Sequence, residues 1–372
     1  MDQHKTKLLV TELPQDLNGI RILMYAPCLG KFGGIETFCL TLIEDLVHRG
    51  AIVRLLRKKV NGFATDGSIE AREQEITSKW SNQRKDSFSS FFVDRGDPII
   101  KKSFQRCEIV HLHNPLAEGL LMARLRSLPC VMTIYNWQRK GWNPRLLGWR
   151  WAVRNADRRW YISEFVWDSW EKKRKKGSKR LPVISKMPVG DQPISSRKGF
   201  LFLGRWIENK GLRILIKAYA GLKLDPEKWP LILAGDGPLR KEVEGFVTEK
   251  KIKGVHILGF VSEKKRHEIT RSAKWMVTVP HTKEDLGLTP LEARSVGVPC
   301  IVSKDGGLKE TGGQHALTCE PGCVRSLRDR LQQATTMTEE EYLAYSKLAK
   351  ENLTAYVRPL DDYSKEYLKL LS

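Results

Sequence analysis

The chain has 372 residues and a mass of 42.6 kDa, which is more than one hydrophobic core usually supports, so we expect at least two domains. Hydrophobic residues make up 41% and charged residues 29%, a balance that excludes a disordered chain. Lysine and arginine outnumber acidic residues 64 to 43, for a formal net charge of +21. That charge favours an anionic partner but does not choose among nucleic acid, phosphate-bearing substrates and acidic membrane surfaces.

The sequence shows neither a membrane span nor an export signal. No apolar run approaches the roughly 18 residues that a spanning helix needs, and the first residues lack the apolar stretch of a signal peptide. Seven cysteines, odd in number and scattered, suit buried thiols in a reducing compartment. We therefore expect a cytoplasmic protein.

In the first half, short apolar runs alternate with amphipathic stretches. The segments IRILMYAP, GGIETFCLTLIEDLVHRG and AIVRLL predict strand, helix and strand. After a polar interval at about 60–95, the alternation resumes with CEIVHLH, PLAEGLLMARLRS, PCVMTIY, LLGWRWAVRNA and DRRWYIS. This order predicts a β/α half with a parallel sheet.

The second half repeats the pattern. Its segments are KGFLFLGRW, KGLRILIKAYAGL, WPLILAGDGP, LRKEVEGFVTEK, VHILGFV, KWMVTVP, LGLTPLEARSVG and VPCIVS. Proline, glycine and serine concentrate over 182–199, which predicts an interdomain connection near Gly190. We therefore expect domains at 1–190 and 191–355, followed at 356–372 by a helix that can pack back on the N-terminal domain.

Two doubly wound domains that face each other form a cleft, and ligands of open parallel sheets bind beyond the carboxyl ends of the strands. The loops after strands are therefore the places to search. After the first strand, Gly33 and Gly34 begin a helix, where the bare backbone suits an anion or simply makes a turn. After a later strand, Arg205 and Lys210 can converge on a polyphosphate, unless they are two solvated cations among many.

The segment TVPHTKEDLGLTPLEARSVGVPCIVSKDGG is the most informative. Glu284 lies in the loop after a strand, Gly287 and Leu288 can open a helix, and Glu292 falls about one turn inside it. Amides at that helix start can hold a phosphate while the two carboxylates accept hydrogen bonds from sugar hydroxyls. The alternative is an acid that complements the helix dipole and a second that is merely exposed.

The motifs GRWIENKG, AGDGP, EDLGLTPLEARSVGVPCIVS and GGLKE, in this order, resemble the motif series of glycosyltransferase family 4. GGIE and DRRWYISE are similar to the weaker N-terminal pattern of that family. The resemblance spans roughly 20–325 and is strongest over 200–312. It implies a retaining enzyme with the GT-B fold, in which two Rossmann-like domains face each other across a cleft, the N-terminal one on the acceptor side and the C-terminal one on the side of the nucleotide-sugar donor.

The resemblance also implies roles for individual residues. Arg205 and Lys210 would hold the donor diphosphate beside Gly204, and Glu284 would face the donor sugar; Arg205, Lys210 and Glu284 are thus the candidate catalytic residues. Glu292, the second glutamate of the motif E-x7-E, would bind the ribose.

Other donor contacts are implied from both domains. Gly287 and Leu288 would offer backbone amides, and Gly33 and Gly34 would close over the donor. Positions implied near the base and ribose are Gly235, Asp236, Phe260 and Val261.

One position departs from the family pattern. Where the family commonly has a histidine that is associated with the donor sugar, this chain has Tyr135, which implies altered sugar recognition or impaired catalysis. His111 and His113 in HLHN suggest a metal pair or, without further ligand spacing, two structural histidines. The resemblance implies no cofactor and no essential metal, because a donor phosphate oxygen would take the acceptor proton.

The acceptor is suggested by a cluster of aromatic and basic residues. Seven of the eleven tryptophans lie within 137–170, followed by EKKRKKGSKR. Such a mixture suits an interface with anionic lipid, stacking on sugar rings, or a core beneath a solvated basic face. We expect a glycan or a lipid-linked glycan acceptor, and hence a location at the inner membrane face.

The sequence therefore predicts a retaining glycosyltransferase that uses a UDP- or GDP-linked sugar in cell-surface polysaccharide or glycoconjugate synthesis. Two alternatives stay close to this fold: a nucleotide-sugar epimerase and a catalytically impaired sugar-nucleotide binder. A nucleic-acid-binding protein is a third, but it is supported by charge alone, since zinc-finger spacing and RNP1-like segments are missing from the sequence. We expect no nucleic-acid partner.

Overall fold

The computed structural model describes residues 16–27, 34–59, 68–80, 86–181, 187–188, 190, 193–357 and 359–371. Strands and helices alternate along the first half. The strands are β1 (Arg21–Pro27), β2 (Ile52–Lys58), β3 (Phe88–Val93), β4 (Ile109–His113), β5 (Cys130–Ile134), β6 (Arg158–Tyr161) and β7 (Ser178–Arg180). The helices are α1 (Gly34–His48), α2 (Ser68–Trp80), α3 (Pro98–Phe104), α4 (Ala117–Arg124), α5 (Pro144–Asn155) and α6 (Glu164–Trp170).

The second half has the same alternation and ends in helices. Its strands are β8 (Lys198–Leu203), β9 (Leu231–Ala234), β10 (Val255–Gly259), β11 (Ala273–Thr278), β12 (Cys300–Ser303) and β13 (Leu317–Cys319). Its helices are α7 (Leu212–Ala220), α8 (Arg240–Glu249), α9 (Glu263–Ser272), α10 (Leu288–Ser295), α11 (Leu308–Thr311), α12 (Val324–Thr336), α13 (Glu339–Ala349) and α14 (Asp361–Leu371). Short 3-10 turns lie at 194–196, 208–210 and 353–355.

The two sheets have the same strand order. The first runs β3-β2-β1-β4-β5-β6-β7, and the second runs β10-β9-β8-β11-β12-β13. Within β1–β5 and β8–β13, neighbouring strands pair in parallel. This is the order of a doubly wound Rossmann-like sheet. The predicted α/β class with two such sheets is confirmed.

The apolar runs in the sequence become strands that are buried on both faces. In β8, Phe200 and Phe202 contribute to one hydrophobic cluster, whereas Leu201 and Leu203 contribute to another. Successive side chains of a strand point to opposite faces, so helices cover the second sheet on both sides. The sheet edge at the carboxyl ends of the strands is then left for the loops.

The chain divides into two compact units. One contains 1–133, 141–159 and 359–372, and the other contains 134–140 and 160–358. Helix α14 therefore belongs to the first unit. Among the residues that the model describes, no helix combines the length and the apolar composition that crossing a bilayer requires.

The polar interval at 60–95 holds two elements that the sequence did not predict, α2 and β3. Helix α2 has few apolar residues to show a helical period, and its acids face a buried arginine. Arg57 of β2 donates to Glu70 Oε1 over 2.7 Å and to Glu73 Oε2 over 3.3 Å. An ion-paired helix face of this kind has no hydrophobic signature in the sequence.

Candidate donor site at the second sheet

The residues predicted to hold the donor follow four adjacent strands of the second sheet. Phe260, Asp236, Arg205 and Glu284 come after β10, β9, β8 and β11, respectively, which is the order of these strands across the sheet. The carboxyl ends of parallel strands meet at one edge, so the structure brings these loops together. We call this edge the donor edge.

Lys210 and Glu284 form an ion pair at the donor edge. Lys210 Nζ lies 2.6 Å from Glu284 Oε1, and the two side chains are 25% and 18% exposed. Contacts between the two loops fix this approach, because His281 N–H donates to the Asn209 carbonyl over 3.3 Å and Asn209 Nδ2 donates to Thr282 Oγ1 over 3.3 Å. The sequence separates the pair by 74 positions, and the fold brings together two residues that the motifs singled out.

The start of α10 is shaped for a close backbone approach. Gly287 is the N-cap residue with a φ of 93°, and a side chain there would place its first carbon 2.5 Å from Leu308. Thr311 Oγ1 donates to the Leu286 carbonyl over 2.8 Å, and this hydrogen bond fixes the turn that precedes Gly287. A helix that begins at Leu288 leaves its first amides without helical partners, so this end suits an anion.

The side chain of Glu292 is less exposed than expected for a surface residue that binds a ribose. Its side chain is 2% exposed, and Arg266 Nη1 of α9 lies 3.2 Å from its Oε1. Burying a carboxylate is costly unless it is paired, and Arg266 supplies the opposite charge. The proposed contact of Glu292 with the ribose stays a prediction.

The loops after β8 and β9 pack backbone against backbone. A side chain at Gly235 would place its first carbon 1.8 Å from the Gly204 carbonyl oxygen, so this position requires glycine for packing. Asp236 is exposed, and hydrogen bonds from Gly237 N–H and then Arg240 lower its pKa. Arg205 is exposed and forms no ion pair or hydrogen bond with any part of the chain that the structure describes.

The loop after β10 separates two predicted contacts. The Phe260 side chain is 84% exposed, whereas Val261 is partly buried and packs on a hydrophobic cluster of the second sheet. Phe260 can stack on a base, but the Val261 side chain is occupied by packing. The predicted contacts of both residues with a base or ribose stay predictions.

Asp285, between Glu284 and Leu286, is a site residue that the sequence analysis missed. Its carboxylate accepts hydrogen bonds from Trp137 N–H over 2.8 Å and from Asn136 Nδ2 over 3.1 Å. Burial raises the pKa of Asp285 to about 6. The segment after β5 is thereby tied to the loop that carries Glu284. No spacing rule could reveal this, because the partners lie about 150 positions earlier in the chain.

The remaining predicted donor contacts, Tyr135, Gly33 and Gly34, come from the first half of the sequence. Tyr135, which stands where the family has histidine, is 1% exposed. Gly34 is exposed at the start of α1 in the first unit, and Gly33 lies outside the described residues. The structure therefore brings Lys210 and Glu284 together near the start of α10, whereas donor contacts of Tyr135, Gly33 and Gly34 stay predictions.

His111 and His113 form a buried structural cluster in the first unit. His111 contacts Tyr367 Oη of α14 through Nδ1 at 2.5 Å and Thr133 Oγ1 through Nε2 at 2.7 Å, so both of its ring nitrogens are engaged. The two imidazoles stack at 4.2 Å, and Cys39 Sγ lies 3.9 Å from His113 Nε2. Within the described ranges, no group of three or more metal-ligating side chains converges.

Two family models match this chain, one for each half. The model for Glycosyl transferases group 1 matches 191–352, which includes the donor edge. The model for Glycosyltransferase Family 4 matches 32–185. The resemblance seen in the motifs is thus confirmed over most of the chain.

Curated relatives are named glycosyltransferases. The uncharacterized glycosyltransferase YqgM of Bacillus subtilis is 30% identical over 238 residues, or 59% of this chain and 66% of YqgM. O-antigen chain mannosyltransferase B of Escherichia coli is 28% identical over 157 residues, or 41% of this chain and 40% of that protein. These matches span less than two thirds of either relative.

Solved structures share the fold at low sequence identity. The complex of Anabaena HepE with UDP superposes with a TM-score of 0.75 at 15% identity, covering 95% of this chain and 99% of HepE. A glycosyltransferase from Rickettsia africae superposes with a TM-score of 0.73 at 14% identity, with the same coverage. With two Rossmann-like sheets of this topology, the chain belongs to the family 4 glycosyltransferases of the GT-B fold.

Proposed function

We propose that this protein is a retaining glycosyltransferase that moves a sugar from a nucleotide-sugar donor to a glycan or lipid-linked glycan acceptor. One observation carries the proposal: Lys210 and Glu284 are paired at the donor edge, next to the start of α10, inside the segment that the group 1 model matches. This arrangement offers a cation for a diphosphate beside a carboxylate for sugar hydroxyls.

The chemistry requires charge to be stabilised on the leaving nucleoside diphosphate. As the bond from the anomeric carbon to the donor phosphate breaks, the diphosphate gains negative charge. Lys210 and the exposed Arg205 supply positive charge, and the amides at Gly287 and Leu288 supply oriented dipoles. Glu284 accepts hydrogen bonds from the sugar and keeps Lys210 at the edge before the donor arrives.

We further propose that the acceptor attacks the face that the leaving group vacates, with a donor phosphate oxygen taking its proton. This route retains the anomeric configuration and needs neither a protein general base nor a metal. Two tests address it. NMR of the product should show the donor's anomeric configuration, and turnover should persist in EDTA; an inverted product would overturn the retaining mechanism, and loss of turnover that Mg²⁺ restores would overturn the metal-free route.

The donor carries UDP or GDP in this proposal. Support for UDP comes from the structural neighbours, since HepE has been crystallised with UDP and with UDP-glucose. The similarity to an O-antigen mannosyltransferase supports a role in cell-surface polysaccharide synthesis at the cytoplasmic face of a membrane. We expect no nucleic acid among the partners of this protein.

A thermal-shift screen tests the donor site. The parent protein, Arg205→Ala and Glu292→Ala are heated with UDP, GDP, ADP, CMP and the matching nucleotide sugars. A nucleotide that raises the unfolding midpoint of the parent but not of the variants would support the site, because a ligand of the folded state stabilises it by mass action. Stabilisation without turnover of any nucleotide sugar would favour the impaired binder, and consumption without an acceptor would favour the epimerase.

A further inference from the structure

The tryptophans of 137–170 differ in exposure: two are buried, two are exposed, and Trp137, Trp149 and Trp170 are partly buried. Trp160 and Trp167, near the run of lysines at 172–176, are 1% and 9% exposed. Trp142 is 87% exposed and Trp151 is 39% exposed, and both lie in the first unit, at or just before α5. The basic run therefore lacks the exposed indole rings that the sequence pattern suggested, whereas α5 presents them.

Helices α4 and α5 together carry several exposed apolar side chains. Of the ten large hydrophobic side chains that are exposed in the described parts of the chain, five lie on or beside these two helices. They are Leu121, Leu125, Trp142, Leu147 and Trp151. The helices are in contact, because Arg124 Nη2 donates to the Asn155 carbonyl over 2.5 Å and Gly148 lies against Ala117. We call this surface the α4–α5 face.

The α4–α5 face is also strongly basic. Five arginines lie on these helices or directly after α4, and α5 contains no acidic residue. They are Arg124, Arg126, Arg145, Arg150 and Arg154. The one acid of α4, Glu118, accepts hydrogen bonds from Tyr25 and Lys58. Basic residues therefore outnumber acidic residues on these helices.

Trp142 lies beside the start of α5 and near an arginine. Asn143 caps α5 through a hydrogen bond from Leu146 N–H over 2.9 Å, and the exposed Trp142 directly precedes this cap. The Arg150 guanidinium lies 6.0 Å from the Trp142 ring centroid. A shallow depression of about 310 Å³ runs between Trp142, Leu147 and Trp151. The rings are thus presented outward on a fixed helix.

We propose that the α4–α5 face docks on an anionic lipid surface, with its rings and leucines in the headgroup and acyl boundary and its arginines on lipid phosphates. The arginines favour an anionic partner. The exposed leucines favour a partner with a hydrocarbon interior, which a lipid bilayer has and a nucleic acid lacks. This inference rests on the proposed function in one respect: such docking would bring the enzyme to a lipid-linked acceptor.

Vesicle sedimentation tests the proposal. The full-length protein is mixed with vesicles of phosphatidylcholine alone and of phosphatidylcholine with 30% phosphatidylglycerol. The parent is expected to bind only the anionic vesicles. The triple variant Trp142→Ser, Leu147→Ser, Trp151→Ser should lower the partition coefficient at least about tenfold, and the triple variant Arg145→Gln, Arg150→Gln, Arg154→Gln about 100-fold.

Two controls make the result specific. Leu343→Ser removes a side chain of similar exposure, 53%, from α13 in the other unit and should bind as the parent does. Circular dichroism and the unfolding midpoint confirm that each variant is folded. A variant of Lys172, Lys173, Lys175 and Lys176 changed to glutamine tests the basic run, and it should lose less binding than either α5 variant.

Three outcomes would overturn the inference. They are no binding of the parent to anionic vesicles, unchanged binding of a folded Trp142, Leu147, Trp151 variant, and loss of binding only when the lysine run is changed. A parent that fails to bind vesicles but is stabilised by a nucleotide refutes the α4–α5 face and leaves the proposed function standing. A parent that binds vesicles but no nucleotide refutes the proposed function and leaves the α4–α5 face standing.

Discussion

The donor edge and the α4–α5 face hold their functional side chains in different ways. At the donor edge, Lys210 and Glu284 are less than one third exposed, and hydrogen bonds between loops fix their approach. On the α4–α5 face, Trp142 is 87% exposed and directly precedes the N-cap residue of α5. A small charged ligand needs atoms placed to within an ångström, whereas an extended surface needs only the right composition on one side. This difference also explains why sequence motifs locate the first, whereas composition only suggests the second and exposure is needed to locate it.

The largest expected effect is a pH-dependent loss of stability that arises in the first unit, away from the donor edge. Burial lowers the pKa of His113 to about 3 and that of His111 well below its ordinary value of 6.5. The unfolded chain protonates these histidines below about pH 6.5, whereas the folded chain keeps them neutral. The free energy of unfolding is therefore highest above pH 6.5 and decreases as the pH falls. We expect the free energy of unfolding to drop by about 2 kcal/mol for each histidine between pH 8 and pH 5.

Urea denaturation followed by circular dichroism at several pH values measures this drop. The parent is compared with a folded His113→Asn variant, because Asp285, whose pKa burial raises to about 6, affects both proteins alike. Equal pH dependence of the two proteins would contradict the buried, neutral state of His113.

The next effect concerns the donor edge. Glu284→Gln keeps the size of the side chain but removes its charge, so the ion pair with Lys210 and the strongest hydrogen bonds to the sugar are lost. We expect kcat/KM to fall about 30-fold, as for the loss of a charged hydrogen bond. Glu227→Gln, at an exposed glutamate of the same unit, is the matched control. Equal activity of both variants would show that Glu284 does not touch the donor.

A smaller effect is expected at Asp285, which supports the donor edge from behind. Asp285→Ala removes the acceptor of Trp137 N–H and Asn136 Nδ2, so the segment after β5 is released and the free energy of unfolding falls by about 1–2 kcal/mol. Turnover should fall about tenfold. Asp329→Ala, at an exposed position of α12, should change neither quantity. If Asp285→Ala is as stable as the parent, the hydrogen bonds of Asp285 do not hold the segment after β5 in place.

The smallest effect lies just outside the fixed part of the donor edge. Arg240 pairs with Asp236 and Glu244, but all three side chains are more than 40% exposed. Solvent screens such pairs, so Arg240→Ala should leave the free energy of unfolding nearly unchanged. A clear loss of stability in urea denaturation would mean that exposure is a poor guide to how firmly this edge is held.

The sequence predicted much of the fold because buried parallel strands are apolar throughout. Runs such as KGFLFL and CEIVHLH read directly as β8 and β4. Helices α2 and α9 escaped prediction because they carry many charges and few apolar residues to show a helical period. Within the site, motif order found Lys210 and Glu284. It could not find the partners of Asp285 or show that Glu292 is buried, since both follow from packing between distant segments.

The most direct test of the donor edge is calorimetric titration of the nucleotide that gives the largest thermal shift. It compares the parent with Lys210→Ala and with Lys217→Ala, which removes an exposed lysine of α7 in the same unit. We expect that Lys217→Ala binds as the parent does and that Lys210→Ala binds at least about tenfold more weakly. Equal affinity of all three proteins would contradict the placement of the donor diphosphate beside Lys210.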